Sequence, residues 1–146
     1  MKYDRLKIEN QLCFPLYACS REIVRLYKPL LDEIGLTYTQ YIAMMVLWDK
    51  KRVTVKQLGE ILYLDSGTLT PLLKKMESAG LLTRNRDKED ERSVIVELTK
   101  QGDLLKDQAL KIPDKIVKCV PLDQDEAKEL YRLLYKVLGQ TGRNPE

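Results

Sequence analysis

The apolar residues Leu16, Ile23, Leu26, Leu30 and Ile34 recur at intervals of three, four and seven, the repeat of one helix face. They predict a helix over about residues 6–34, stopped by Gly35. Pro15 has no N–H and suits only a first turn. The main helix is therefore expected to begin near Leu12 to Phe14, after a looser lead-in. Thr37 and Gln40 have capping-box spacing and open a helix from Tyr38 to about Trp48. Thr54 and Gln57 repeat the device before "LGEILYL". The next helix, "SGTLTPLLKKMES", is capped by Asp65 or Ser66 and ended by Gly80. Pro71 would prefer a start at Thr70, but the cap favours the earlier one with local strain.

From Leu81 the period changes to two. Val94, Val96 and Leu98 alternate with Ser93, Ile95 and Glu97, and "LLTRNR" is a second short strand-forming run. The polar "DKEDER" between them closes a two-stranded hairpin. Thr99 then caps a long helix with an expected kink at Pro113. Asp123 and Glu126 open a last helix carrying Leu130, Leu133, Leu134, Val137 and Leu138. The expected fold is mainly α with a small β-hairpin. Helix, short turn, helix and hairpin is the order of a winged helix-turn-helix. One domain over residues 1–146 is expected, with a DNA-binding lobe at about 38–99 and dimerisation helices at about 6–34 and 100–140.

In such a motif the second helix enters the major groove by its N-terminal end. Leu69, Leu72, Leu73 and Met76 form its inward stripe, leaving Ser66, Thr68, Thr70 and Lys74 as candidates to face DNA. On the hairpin, Arg84 and Arg86 are candidate phosphate contacts. Its tip carries four acids and two bases, which argues against DNA by charge count alone. Arg92 is nonetheless the candidate for a narrow minor groove, with Asp90 placed to orient it. The bland alternative is a solvated hairpin.

Composition narrows the chemistry. The 146 residues are 44% hydrophobic and 32% charged, with a formal net charge of +3, an ordinary globular balance compatible with nucleic acid. No apolar run approaches a membrane span, and "MKYDRLKIEN" has no signal core, so a cytoplasmic location is expected. There is no histidine, which excludes Ser-His-Asp and Cys-His catalysis and removes the common zinc ligand. With no Gly-rich phosphate loop either, no enzyme activity, metal or cofactor is expected. Cys13, Cys19 and Cys119 form no C-x-x-C pair and no complete disulfide framework.

The stretch "LYLDSGTLTPLLKKMESAGLLTRNRDKEDERSVIVELTKQG", above all its wing from Asp90 to Thr99, resembles the DNA-binding core of the MarR family of bacterial regulators. "IENQLCFPLYACSRE" and "YKPLLDEIGLTYTQY" resemble its organic-hydroperoxide-sensing (OhrR-like) branch. The resemblance implies a homodimeric repressor that leaves double-stranded operator DNA, an inverted repeat, when its cysteine is oxidised. By that match Cys13 is the sensor, and Tyr27 and Tyr38 are partner tyrosines, with Tyr17 a third candidate. Some relatives carry a second, resolving cysteine near Cys119, whereas others use a small cellular thiol.

A sensor needs thiolate character, which a helix N-terminus and hydroxyl donors favour. Cys13 and Tyr27 are separated by 14 residues of one expected helix, or roughly 21 Å. If Tyr27 serves Cys13, it must come from the other subunit. Cys19 points about 240° away from Cys13 around the helix and is expected to be structural. The rival readings are an inert core cysteine, a regulator of the same fold answering a phenolic or lipophilic effector, a thiol peroxidase and an architectural DNA-binding protein.

Overall fold

The computed structural model describes residues 1–140. Two short 3₁₀ turns, Lys2–Leu6 and Ile8–Asn10, precede helix α1, Cys13–Asp32. The helix thus begins inside the range that Pro15 required, and residues 6–12 are not part of it. Gly35 ends the segment at φ 71°. Helix α2 (Tyr38–Lys50) opens on the Thr37–Gln40 capping box, and α3 (Val55–Leu62) on the Thr54–Gln57 box. Helix α4 spans Ser66–Ser78. Its cap is Asp65, whose Oδ1 accepts the Thr68 N–H at 2.7 Å. Pro71 lies inside this helix, as the early start demanded.

The expected two-stranded hairpin is a three-stranded antiparallel sheet in the order β1-β3-β2. Strands β2 (Leu82–Arg86) and β3 (Val94–Leu98) are the hairpin, in register Leu82↔Leu98 to Arg86↔Val94. The extra strand, β1 (Arg52–Thr54), pairs Val53 with Val96. Three residues wedged against a helix cap are too few to show a period of two. The expected long helix after Thr99 is also two helices, α5 (Lys100–Ala109) and α6 (Ile112–Cys119). Pro113 cannot donate to Ala109, so the chain breaks and restarts with Pro113 in the new first turn. Helix α7, Gln124–Gln140, follows the Asp123–Glu126 box.

One apolar core joins these elements. Leu31 of α1, Met44 and Leu47 of α2, Leu58 of α3, and Leu69, Leu73 and Met76 of α4 are fully buried. They meet Leu82 and Val96 of the sheet and Ile112 of α6. Each such side chain contributes about 1.5–3 kcal/mol by leaving water. Leu72, expected on the same stripe, is only half-buried.

The N-terminal half of α1 and all of α7 stand outside this core. Leu12, Phe14, Leu16, Tyr17, Ile23 and Leu26 are exposed, as are Leu130, Tyr131, Leu133, Leu134 and Val137. No described residue of α7 is buried.

Candidate DNA interface and thiol site

Asp65 and the Tyr63 turn aim α4. Tyr63 takes the left-handed conformation, φ 58° and ψ 38°, and turns the chain between α3 and α4. Burial of Leu69, Leu73 and Met76 then leaves Ser66, Thr68 and Thr70 exposed in the first turns of α4 and Lys74 exposed further along it. This is the arrangement the sequence predicted. The Thr70 hydroxyl donates to the Ser66 carbonyl at 2.8 Å, so its proton is used within the helix.

The hairpin arginines divide. Arg84 was expected to hold phosphate, but it is tied to α4. Its main-chain N–H donates to Glu77 Oε2 at 3.0 Å, and its guanidinium meets Glu77 Oε1 at 3.3 Å. It braces the wing against the recognition helix. Arg86 donates to the Glu91 carbonyl at 2.7 Å and so braces the tip. Asp90 does not grip the Arg92 guanidinium as expected. It accepts the Arg92 main-chain N–H at 3.1 Å and the Ser93 hydroxyl at 3.4 Å, fixing the turn that carries Arg92. Arg92 itself is exposed.

Cys13 is the first residue of α1 and is exposed. Its helix end has no side-chain cap, because Leu12 offers none. Free N–H groups at such an end favour an anion. Tyr27 lies near the other end of the same unbroken helix. The two stand roughly 21 Å apart along the axis, too far to touch.

Tyr27 packs edge-on to Tyr38 with ring centroids 4.9 Å apart, and Tyr41 joins them at 5.7 Å from Tyr27. Tyr41 is buried and leans on Trp48 at 6.3 Å. Burial, then the neighbouring Tyr38 and Tyr41, pushes the Tyr27 hydroxyl up to about 12. Burial raises Tyr38 and Tyr41 as well. The three phenols therefore keep their protons at neutral pH and remain hydrogen-bond donors. Tyr41 was not among the tyrosines that the resemblance marked. Its spacing of three from Tyr38 was the signal for a cluster. Tyr17 sits one turn from Cys13, exposed, with the Arg21 guanidinium 5.4 Å from its ring centre.

Cys119 ends α6 and is exposed. Cys19, expected to be structural, is exposed too and lies outside the core of the described residues. It lies on the same half of α1 as the uncovered apolar residues.

The family described as transcriptional regulator SarA/Rot matches residues 25–109. The organic hydroperoxide resistance transcriptional regulator of Bacillus subtilis is 53% identical over 137 residues, covering 94% of this chain and 93% of that protein. The HTH-type transcriptional regulator MgrA of Staphylococcus aureus is 39% identical over 136 residues, 92% of each chain. Among solved structures, reduced AbfR bound to DNA has a TM-score of 0.79 at 34% identity, covering 97% of this chain and 99% of that one. Disulfide-formed AbfR, 33% identical, covers 94% of this chain and 97% of its own, with a TM-score of 0.65. AbfR is a protein of Staphylococcus epidermidis.

Proposed function

The chain belongs to the MarR family of transcriptional regulators, in its OhrR-like branch, and on that premise we propose that it is a homodimeric repressor whose Cys13 senses organic hydroperoxides. The observation that carries this reading is the separation of Cys13 and the tyrosine cluster at opposite ends of α1, beside apolar faces that are exposed among the described residues. Contiguous exposed apolar faces of this kind mark interaction sites. A two-fold pair buries them and brings Cys13 of each subunit to Tyr27 and Tyr38 of the other, giving two equal sites. The lobe of residues 38–99 is the reading head.

The chemistry requires no histidine. The Cys13 thiolate attacks the terminal peroxide oxygen. An S–O bond forms and the O–O bond breaks. Sulfur loses two electrons, the peroxide gains them, and the departing alkoxide takes up a proton to leave as an alcohol. Tyrosine O–H groups stabilise the thiolate beforehand. The resulting sulfenic acid condenses with a second thiol, forming S–S and releasing water. Exposed Cys119 of the partner subunit is one candidate, supported by the disulfide-formed relative, and a small cellular thiol is the other. The product no longer fits among the tyrosines. The two recognition helices then lose the spacing of about 34 Å that successive major grooves require, by rigid-body movement of the lobes.

Oxidised protein on a non-reducing gel is expected to give a dimer-sized band that Cys119→Ser removes. A monomer-sized band alone would assign the condensation to a small thiol. For DNA reading, Arg92→Ala is expected to weaken operator binding by about 1–3 kcal/mol in a mobility-shift titration. An unchanged affinity would return Arg92 to the solvated wing.

A further inference from the structure

We propose that Tyr63, in the turn between α3 and α4, biases the reading head toward release. Its hydroxyl is buried without a partner while the head binds DNA, and it is freed when the head moves. The inference rests on the reading of Cys13 as a sensor whose oxidation moves the lobes.

Two unfavourable features meet at this residue. Tyr63 holds the left-handed conformation at φ 58°, which glycine would hold without strain. Its hydroxyl oxygen is also the one buried side-chain nitrogen or oxygen with no hydrogen bond among the described residues. A buried phenol O–H normally finds a partner. Left alone, it forfeits the hydrogen bonds that it makes to water when exposed. Strained groups of this kind gather at segments that switch.

The neighbour of this turn is α7. Burial, then Tyr131, then Tyr63 raise the Tyr135 hydroxyl above its ordinary value, which places Tyr63 beside α7. Tyr131 and Tyr135 stack with ring centroids 4.7 Å apart. Among the described residues of α7, only Tyr135, Leu138 and Gly139 are partly covered. Their spacing of three and four is one row of a helix. Helix α7 therefore meets the rest of its chain along this row, and the Tyr63 turn lies at it. That junction joins a dimerisation helix to the turn that aims α4.

The direction of the bias follows from the arrangement of the chain. It superposes more closely on reduced, DNA-bound AbfR than on the disulfide form. The unpaired hydroxyl is then a feature of the DNA-binding arrangement. A rigid-body shift of the lobe against the dimerisation helices opens the junction, and the hydroxyl reaches water. Only a difference between two arrangements can move their equilibrium. This one narrows the gap that oxidation of Cys13 has to reverse.

The test compares the unaltered full-length dimer with Tyr63→Phe, which keeps the ring and removes only the O–H. Each is measured reduced and after cumene hydroperoxide, with oxidation of Cys13 confirmed by mass spectrometry. In the reduced protein Tyr63→Phe is expected to raise the melting temperature by about 3 °C, because an unpaired buried group is gone. In the oxidised protein that rise is expected to vanish, since the hydroxyl is hydrated there. In a mobility-shift titration, oxidation is expected to weaken operator binding about tenfold less in Tyr63→Phe than in the unaltered protein. An equal rise in both redox states, or an unchanged loss of operator affinity, would make the role of Tyr63 purely structural and overturn the bias. No rise in the reduced protein would overturn the unpaired hydroxyl. Operator binding that survives Cys13 oxidation in the unaltered protein would instead remove the sensor reading, and the inference with it.

Discussion

Cys13→Ser is expected to bind operator DNA as the reduced protein does, and to stay bound at hydroperoxide concentrations that release the unaltered protein completely. Serine is nearly isosteric, so the start of α1 and the surrounding apolar face keep their packing. Its hydroxyl cannot form a sulfenic acid, and so no covalent change can bias the two arrangements of the dimer. Shifting a two-state equilibrium from 1:99 to 99:1 takes about 5.5 kcal/mol of differential stabilisation. Oxidation of Cys13 supplies that difference in the unaltered protein, and the serine variant has no source for it. The loss of response should be complete rather than graded. A mobility-shift titration with and without cumene hydroperoxide reads it. Full release of Cys13→Ser would instead favour a regulator that answers a bound effector.

The second large effect concerns the joint that holds the wing to the helices. Gly102→Ala is expected to destabilise the fold by about 3 kcal/mol, lowering the melting temperature by about 10 °C. Gly102 is buried in the first turn of α5. A Cβ there would overlap the Leu81 carbonyl oxygen and sit 2.9 Å from Leu98 Cδ1. The obstruction is backbone, which cannot rotate away. Its own groups are also committed. The Gly102 N–H donates to Thr99 Oγ1 at 3.0 Å, and its carbonyl accepts Trp48 Nε1–H at 3.0 Å. One residue thus ties α2 to the capped start of α5. Gly67→Ala is the control, because a Cβ at residue 67 meets only Asp65 Oδ1, at 3.4 Å. It should leave the melting temperature unchanged or raise it. Melts at equal protein concentration compare the two, since dimerisation adds to apparent stability. Equal melting temperatures for both variants would contradict the packing described here.

Much of this fold was legible because the chain punctuates itself. Thr37–Gln40, Thr54–Gln57 and Asp123–Glu126 open helices where the structure has them, and Gly35 and Gly80 follow helix ends at positive φ. The exposed face of α4 was legible for a related reason. Burial of three apolar residues on α4 leaves Ser66, Thr68, Thr70 and Lys74 exposed around the rest of the helix.

What stayed hidden was non-local. Strand β1 exists only because β3 pairs with it, and three residues carry no period of their own. Whether Pro113 kinks or breaks a helix depends on where α6 must pack, and buried Ile112 and Ile116 decide for a break. Arg84 looked like a phosphate ligand because nothing in the local sequence shows Glu77, seven residues earlier, returning beside it. Tyr27 and Tyr38 were visible as candidates from the resemblance, but only the folded α1–α2 corner shows Tyr41 and Trp48 supporting them. The separation of Cys13 from those tyrosines needs only helix arithmetic and the length of α1.

The central claim is that Cys13 of one subunit works with the tyrosines of the other. Mixed dimers test it most directly. One subunit carries Cys13→Ser with native tyrosines, and its partner carries native Cys13 with Tyr27→Phe and Tyr38→Phe. The phenylalanines keep the ring packing and remove only the hydroxyls. The measurement is the rate at which cumene hydroperoxide oxidises the single Cys13 of each mixed dimer. The account predicts a rate near that of the unaltered protein, because this Cys13 faces intact tyrosines across the interface. The reverse arrangement, with all three substitutions on one subunit, is predicted to be slow. A slow first dimer and a fast second would show that each cysteine uses its own chain's tyrosines, and would contradict the account.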